Sequence, residues 1–364
     1  MRCGAWQCRL RRGEPSKLSA MIALASTLTS HMVRKLGLVA SLLILLGSFG
    51  GGSLQKRNSL LSAANLDFLS FGHGAAFSNV TLWLGTVLFV VSWGLMGKLV
   101  IDKIVDADYV RRTLCVWLVP LVGAAPIMSR DVYSYLMQGT LLRDGLNAYT
   151  QGPASNPNQI LFEVSHDWRN TTTPYGPLHL WLGEAVTTVF GDNVTAGVYA
   201  FKALAVAGFV AIMWFVPKIA QRLGADPAFA LWLGVANPVM VFHLVGGMHN
   251  EAMMVGLVTV GLYLVVRQAT YPAVLGGFFA GVALIAVAMA LKASAALCLP
   301  FVVWLVVNRA GESVGARVRA FLLAGVGGAV ETVAILAVIT WASGTTWEWI
   351  AALAGNTKVV NPLS

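Results

Sequence analysis

At 364 residues, 57% of them hydrophobic and only 11% charged, the chain departs too far from average composition to be an ordinary soluble protein. The formal net charge of +9 would suggest nucleic acid in a soluble chain, but here the bases sit in short segments between apolar runs, where they set membrane orientation. No nucleic-acid partner is expected, and the fold class is an all-α polytopic membrane protein. The four cysteines make no disulfide framework: Cys3 and Cys8 lie in a basic N-terminus without partner ligands, and Cys115 and Cys298 lie in apolar runs as small hydrophobes.

Residues 1–35 carry Arg2, Arg9, Arg11, Arg12, Lys17, Arg34 and Lys35 against the single acid Glu14, and read as a cytoplasmic segment. A secretory signal is a rival reading, without an evident cleavage site; a true start at Met21 or Met32 is a third. The first apolar run, 36–49, is short for a bilayer that needs about 20 residues, and 50–53 can extend it. Residues 55–79 then lie outside. Residues 80–101 make a full inward span, followed by an inside loop with Lys103, Arg111 and Arg112. Residues 113–128 return outward and deliver Ser129-Arg130-Asp131-Val132-Tyr133-Ser134-Tyr135 to the outer face.

A long outer loop, 129–193, follows. Within it, 132–142 reads as an amphipathic helix lying on the membrane, with Tyr135, Gln138 and Leu142 on one face and Tyr133 and Tyr135 as anchors. Thr173-Pro174-Tyr175-Gly176-Pro177 reads as a shaped helix start, because Pro fixes φ and Gly permits the turn. The helix it starts, 178–190, is too short to cross and is interrupted by Glu184, so an interfacial position is expected. Crossings at 194–216, 229–245, 252–266, 273–291, 293–307 and 321–341 follow; with about nine in all, every basic cluster falls inside. The sequence stops at Asn361-Pro362-Leu363-Ser364, in what reads as an outer loop with no closing span, so a C-terminal truncation is expected and 36–364 forms an incomplete transmembrane domain. No internal repeat is visible, which counts against an inverted-repeat transporter.

Each polar group has an ordinary reading beside a functional one. Arg130 and Asp131 are either an interfacial pair ending a helix or a site; Arg143 and Asp144 repeat the pair downstream. His249-Asn250-Glu251 is either a wet helix end or the second wall of a cavity, since topology puts it on the same face as Asp131. Lys292 either snorkels or contacts a phosphate. Lys202, deep in its span, should face the bundle interior or a water-filled cavity. His243, in an apolar run, reads as a satisfied core residue rather than a ligand. Tyr149, Trp168, Tyr175, His179 and Trp181 are an interfacial aromatic belt or a set of sugar-stacking rings. Nothing resembles a zinc cluster, a Ser-His-Asp set or a phosphate-binding glycine loop, and the sequence demands no metal or other cofactor.

Several of these stretches occur in one order that resembles a known family. They are Ser-Arg-Asp-Val-Tyr-Ser-Tyr (129–135), Gln-Gly (138–139), Arg-Asp-Gly (143–145), Gly-Pro-Ala-Ser (152–155), Pro-Tyr-Gly-Pro-Leu (174–178), Ala-Asn-Pro (236–238), His-Asn-Glu-Ala (249–252) and Trp-Ala-Ser-Gly (341–344). They look like the polyprenol-phosphate-mannose-dependent α-1,6-mannosyltransferases of mycobacterial and corynebacterial envelopes, over about residues 80–364. That resemblance implies a GT-C-like bundle, a plasma-membrane location with the active site on the extracytoplasmic face, a polyprenol-phosphate-mannose donor and a mannosylated glycolipid acceptor on the way to lipomannan or lipoarabinomannan. It also implies further spans beyond residue 364.

A β-mannosyl phosphate giving an α-linkage inverts the anomeric centre in one displacement, so a single base must take the acceptor proton. The resemblance maps that base to Asp131. It implies Arg130, Arg143 and Lys292 for the donor phosphate, and Tyr133, Tyr135, Gln138, Tyr175, His249, Asn250 and Glu251 along the sugar-binding and acceptor surface. A transporter or flippase of lipid-linked sugar, which would use Lys202 and Glu331 inside spans, and a non-catalytic membrane subunit are the alternatives.

Overall fold

The computed structural model describes residues 17–57, 59–268 and 270–355. Most of the basic N-terminal segment, with Cys3 and Cys8, and the terminal Asn361-Pro362-Leu363-Ser364 lie outside the described residues. Among the described residues there are helices and turns but no strand. In chain order they are α1 (Lys17–Gly51), α2 (Leu60–Ala63), α3 (Gly72–Ile101), α4 (Ala107–Gly123), α5 (Asp131–Arg143), α6 (Pro177–Phe190), α7 (Val194–Arg222), α8 (Pro227–Gly234) and α9 (Pro238–Met240). A π-helical turn, Val241–Gly246, then leads to α10 (Glu251–Val266), α11 (Tyr271–Leu291), α12 (Leu299–Arg309), α13 (Val314–Ala342) and α14 (Glu348–Gly355).

Among the described residues, five helices are long and apolar enough to cross a membrane, in α1, α3, α7, α11 and α13, or six if the bent pair Pro227–Gly234 and Pro238–Gly246 is one span. The other expected crossings fall on shorter helices, of which α4 has 17 residues and α10 has 16. At about 1.5 Å per residue these rise about 25 Å, below the roughly 30 Å hydrocarbon thickness. By length, the described residues thus supply five or six crossings where about nine are expected. The short first apolar run is completed mostly upstream, and downstream only as far as Gly51 of the expected 50–53 extension: the candidate span is Thr29–Gly51. Arg34, inside it, donates from Nε to Thr113 Oγ1 at 3.2 Å and lies over the Tyr109 ring, which lets a cation sit near a span end.

Prolines decide the breaks that matter for the site. The third crossing ends at Gly123, earlier than residue 128, because Pro126 disfavours helix in the residue before it; the chain then runs irregularly to α5. The 229–245 segment is two helices bent by 55° around Asn237-Pro238, with Asn237 Oδ1 accepting from Val239 N at 2.9 Å. Its first half is locked to α3 by a reciprocal pair: Trp93 Nε1 donates to the Trp232 carbonyl at 3.1 Å, and Trp232 Nε1 donates to the Trp93 carbonyl at 3.0 Å.

The α5 helix does not lie on a membrane surface as its pattern suggests. Val132 through Leu141 are all buried, packed on α6, α7 and the outer loop. Its contact with α6 is a backbone-to-backbone approach: a Cβ on Gly139 would come within 2.3 Å of the Gly183 carbonyl carbon, so only glycine fits. The α6 helix starts as its Pro-Tyr-Gly-Pro signal requires, with Pro177 in the first turn. Gly176 docks that start on the end of α11, donating to the Leu291 carbonyl at 3.1 Å where a Cβ would meet the Ala290 carbonyl oxygen at 2.3 Å. That contact sets Tyr175 beside Lys292.

Candidate active site

Two irregular stretches, 124–130 and 247–250, deliver the polar groups. They are tied together by Ile127 N donating to the Gly246 carbonyl at 3.1 Å. Each contains a methionine in the left-handed region, Met128 at φ +60° and Met248 at φ +56°, just before Asp131 and His249. Such a conformation costs of order 1–3 kcal/mol in a non-glycine residue, and it collects where a site must be held in one shape.

Asp131 is the first residue of α5. Its backbone N donates to Ser129 Oγ at 3.1 Å, which fixes the helix entry. Its carboxylate Oδ2 lies 3.4 Å from His249 Nδ1, and Glu251 Oε2 lies 3.9 Å from the same nitrogen. Lys292, at the end of α11, pairs with Glu251 Oε1 and lies 5.7 Å from the centre of the Tyr175 ring. Burial, together with the neighbouring Glu251 carboxylate, pushes the Asp131 carboxyl above its ordinary value, more than Ser129, Lys292 and His243 pull it down. The same burial, aided by the adjacent His243 ring, lowers His249 to about 4, so its imidazole is neutral at neutral pH.

A small cavity of about 50 Å³ opens beside Asp131, walled by Gln138, Trp168, Thr171, Pro174 and Tyr175 among others. That is room for one or two waters. The rings behind it are fixed against one another. Tyr135 meets Tyr175 edge-on at 5.4 Å and His179 at 4.7 Å between ring centres. Burial and the carboxylates of Asp131 and Glu251 keep the Tyr175 phenol protonated, well above its ordinary range. Gln138 Oε1 accepts from Thr173 Oγ1 at 3.1 Å, tying the helix to the loop that carries Tyr175. Asn250 Nδ2 lies 3.4 Å from His179 Nδ1. Burial, with Lys292 nearby, lowers His179 to about 3, so it too is neutral.

Asp131, Tyr135, Gln138, Tyr175, His249, Asn250, Glu251 and Lys292 therefore meet in one place. Three expected residues do not point there. Arg130 turns away, donating to Glu163 Oε2 at 2.7 Å, to the Glu163 carbonyl at 2.9 and 3.1 Å and to the Leu54 carbonyl at 3.3 Å, and it lies over the Tyr133 ring. Tyr133 donates its hydroxyl to the Ser53 carbonyl at 2.6 Å. Arg143 stands at the far end of α5, about 18 Å away along the axis, and is held by Asp144, Thr187 and Asp192. In each, the donors are engaged by these partners.

Three residues that sequence reasoning passed over belong here. His243 is not a core residue: it is exposed and stacks on His249, with ring centres 3.7 Å apart and planes 14° from parallel. The π-helical turn, which no hydropathy pattern announces, carries it out of the bundle. His179, counted only among loop aromatics, is buried at the centre of the ring cluster. Glu163, 2% exposed, knits the site's backing by accepting from Arg130 and from the backbone N of Lys56 and Arg57. It sits in a polar loop where one more acid gives no signal. Lys202 is buried and donates to the Leu121 carbonyl at 3.3 Å, which is the bundle-interior placement expected of it.

The profile of a family described as α-(1→6)-mannopyranosyltransferase, N-terminal domain, matches residues 34–308. Among curated proteins, the α-(1→6)-mannopyranosyltransferase A of Corynebacterium glutamicum is 51% identical over 88% of this chain and 68% of its own length. The protein of the same name from Mycobacterium tuberculosis is 40% identical over 91% of this chain and 63% of its own. A probable α-(1→6)-mannopyranosyltransferase of Mycolicibacterium smegmatis is 30% identical over 96% and 66%. The chain thus spans about two thirds of the length of these relatives. No solved structure matches it.

Proposed function

This chain belongs to the α-(1→6)-mannopyranosyltransferase family of membrane hexosyltransferases, and from that premise we propose that it moves mannose from polyprenol-phosphate-mannose to the 6-hydroxyl of a mannosylated glycolipid, at the extracytoplasmic face of the plasma membrane. The single observation that carries the reading is Asp131. It is a carboxylate set at the head of a buried helix, on the wall of a cavity, in contact with His249 and close to Glu251, which the ammonium of Lys292, at the end of α11, pairs with.

The chemistry is one displacement. The bond between the anomeric carbon and the phosphate oxygen breaks with its electron pair on the phosphate; the acceptor oxygen bonds to the anomeric carbon from the opposite face; its proton passes to Asp131. A carboxyl whose affinity for protons is raised by burial suits that task better than a solvated one. Lys292 meets the charge that develops on the phosphate. Tyr175 and Trp168, on the cavity wall, offer ring faces to the mannose units. Arg130 and Arg143 hold the scaffold in this account, since each is engaged by carboxylates of its own. Lys202, on which a transport path would rest, is packed against a carbonyl and favours no second reading.

The test is a membrane assay with radiolabelled polyprenol-phosphate-mannose and a short α-1,6-mannoside. Transfer that depends on the lipid donor and disappears in the Asp131→Asn variant is expected. Equal transfer from a nucleotide-linked mannose, or undiminished transfer by the variant, overturns it.

A further inference from the structure

Two carboxylates, Asp131 and Glu251, share the candidate site with the ammonium of Lys292, and His249 Nδ1 lies 3.4 Å from Asp131 Oδ2 and 3.9 Å from Glu251 Oε2. One nitrogen from each of His243 and His249 and one carboxylate oxygen of Glu251 lie within 4.8 Å of one another. Lys292 engages Oε1 of Glu251, while Oε2 is buried with no hydrogen-bond partner. A buried carboxylate oxygen without a donor is a costly arrangement that a cation would relieve.

From these juxtapositions we propose that His243, His249 and Glu251 form a binding site for one divalent transition-metal cation beside Asp131; its place in catalysis rests on the reading above, but its existence does not. The donor set decides the class of ion. Two imidazoles and one carboxylate favour manganese, iron, cobalt or zinc over magnesium and calcium, which prefer oxygen ligands throughout. With ligand bonds of about 2.1 Å, neighbouring donors should stand roughly 3.0–3.4 Å apart, so a separation at the 4.8 Å limit must close by about 1.5 Å. The stacked rings must also lose their parallel alignment. His243 supplies that movement: it is exposed, at the edge of the cluster, and one side-chain rotation swings it while Glu251 stays on Lys292. In the proposed reaction the cation would neutralise the departing phosphate, which Lys292 alone meets while still paired with Glu251.

The measurement is titration of the purified full chain in detergent with Mn2+ alone, free Mn2+ being read by its electron paramagnetic resonance signal, with no donor or acceptor present. One saturable equivalent is expected, displaced by Zn2+, with affinity lowered tenfold or more in His243→Ala and again in Glu251→Gln. His243 is exposed, so its truncation leaves the fold intact, which an unchanged elution profile verifies. Absence of saturable binding in the parent chain, or unchanged affinity in His243→Ala, overturns the site. Mn2+ binding without mannosyl transfer would count against the enzymatic reading and leave the metal site standing. Transfer by a chain that binds no Mn2+ would do the reverse.

Discussion

The two ends of α5 carry the same dipeptide, Arg-Asp, and meet opposite fates. At the C-terminal end Arg143 grips Asp144 through two nitrogens, at 2.8 and 3.1 Å, and the hydrogen bonds from Arg143 and then from Asn156 hold that carboxyl below its ordinary value. At the N-terminal end Arg130 abandons its neighbour for Glu163, and Asp131 is left with a neutral imidazole and a second carboxylate, its proton affinity raised. One end is a satisfied surface clasp. The other holds the carboxyl proposed above as the base. What differs is not the pair but where the surrounding chain places the arginine's other carboxylate: Asp192 adds to the clasp, whereas Glu163 draws the arginine away.

The comparison is broken most directly by removing each acid in turn. Asp131→Asn should lower mannosyl transfer by about 10² to 10⁴, the usual cost of losing a general base, while Asp144→Asn should leave it within about threefold. Similar losses at both ends would mean that neither is the base. Next in size, Glu163→Gln should lower the unfolding midpoint in detergent by the equivalent of about 1–3 kcal/mol, because it strips charge from a buried acceptor that three segments share. A midpoint equal to that of the parent chain would deny Glu163 its anchoring role.

The pH dependence sharpens the contrast. Asp131 acts only when ionised and its carboxyl is raised, so activity should fall on acidification at a pH above the ordinary aspartate value of 3.8. Glu251→Gln removes a negative neighbour, so the acid limb of the residual activity should move to lower pH. A limb that moves up, or stays, removes Glu251 from that electrostatic part. The smallest effects concern stability. With its folded value raised, ionised Asp131 destabilises the native state above that value, so Asp131→Asn should raise the midpoint slightly at pH 7. Asp144, with its folded value lowered, stabilises the native state above its ordinary value, so Asp144→Asn should lower the midpoint, by about 1 kcal/mol or less for an exposed pair.

Much of this was readable without coordinates. Composition gave an all-helical membrane protein, because a backbone in hydrocarbon must satisfy its own hydrogen bonds. Alternating basic loops placed residues 131 and 250 on one side, and Asp131 and His249 are indeed in contact. The Pro-Tyr-Gly-Pro start of α6 was local chemistry and appears where expected.

What local pattern does not encode is partner choice and depth. A 17-residue apolar stretch reads as a crossing whether or not its helix is long enough, and the buried α5 has tyrosines that suit an interface equally well. Sequence by itself therefore determined the class of protein, the order of its helices and the carboxylate to suspect, since these follow from hydropathy, charge asymmetry and turn chemistry along the chain. Only the tertiary structure decided that Arg130 serves Glu163, that His243 leaves the bundle to stack on His249, and that Lys292 answers Glu251. Those are contacts between segments far apart in the chain, and their energies depend on burial and distance, which no linear spacing contains.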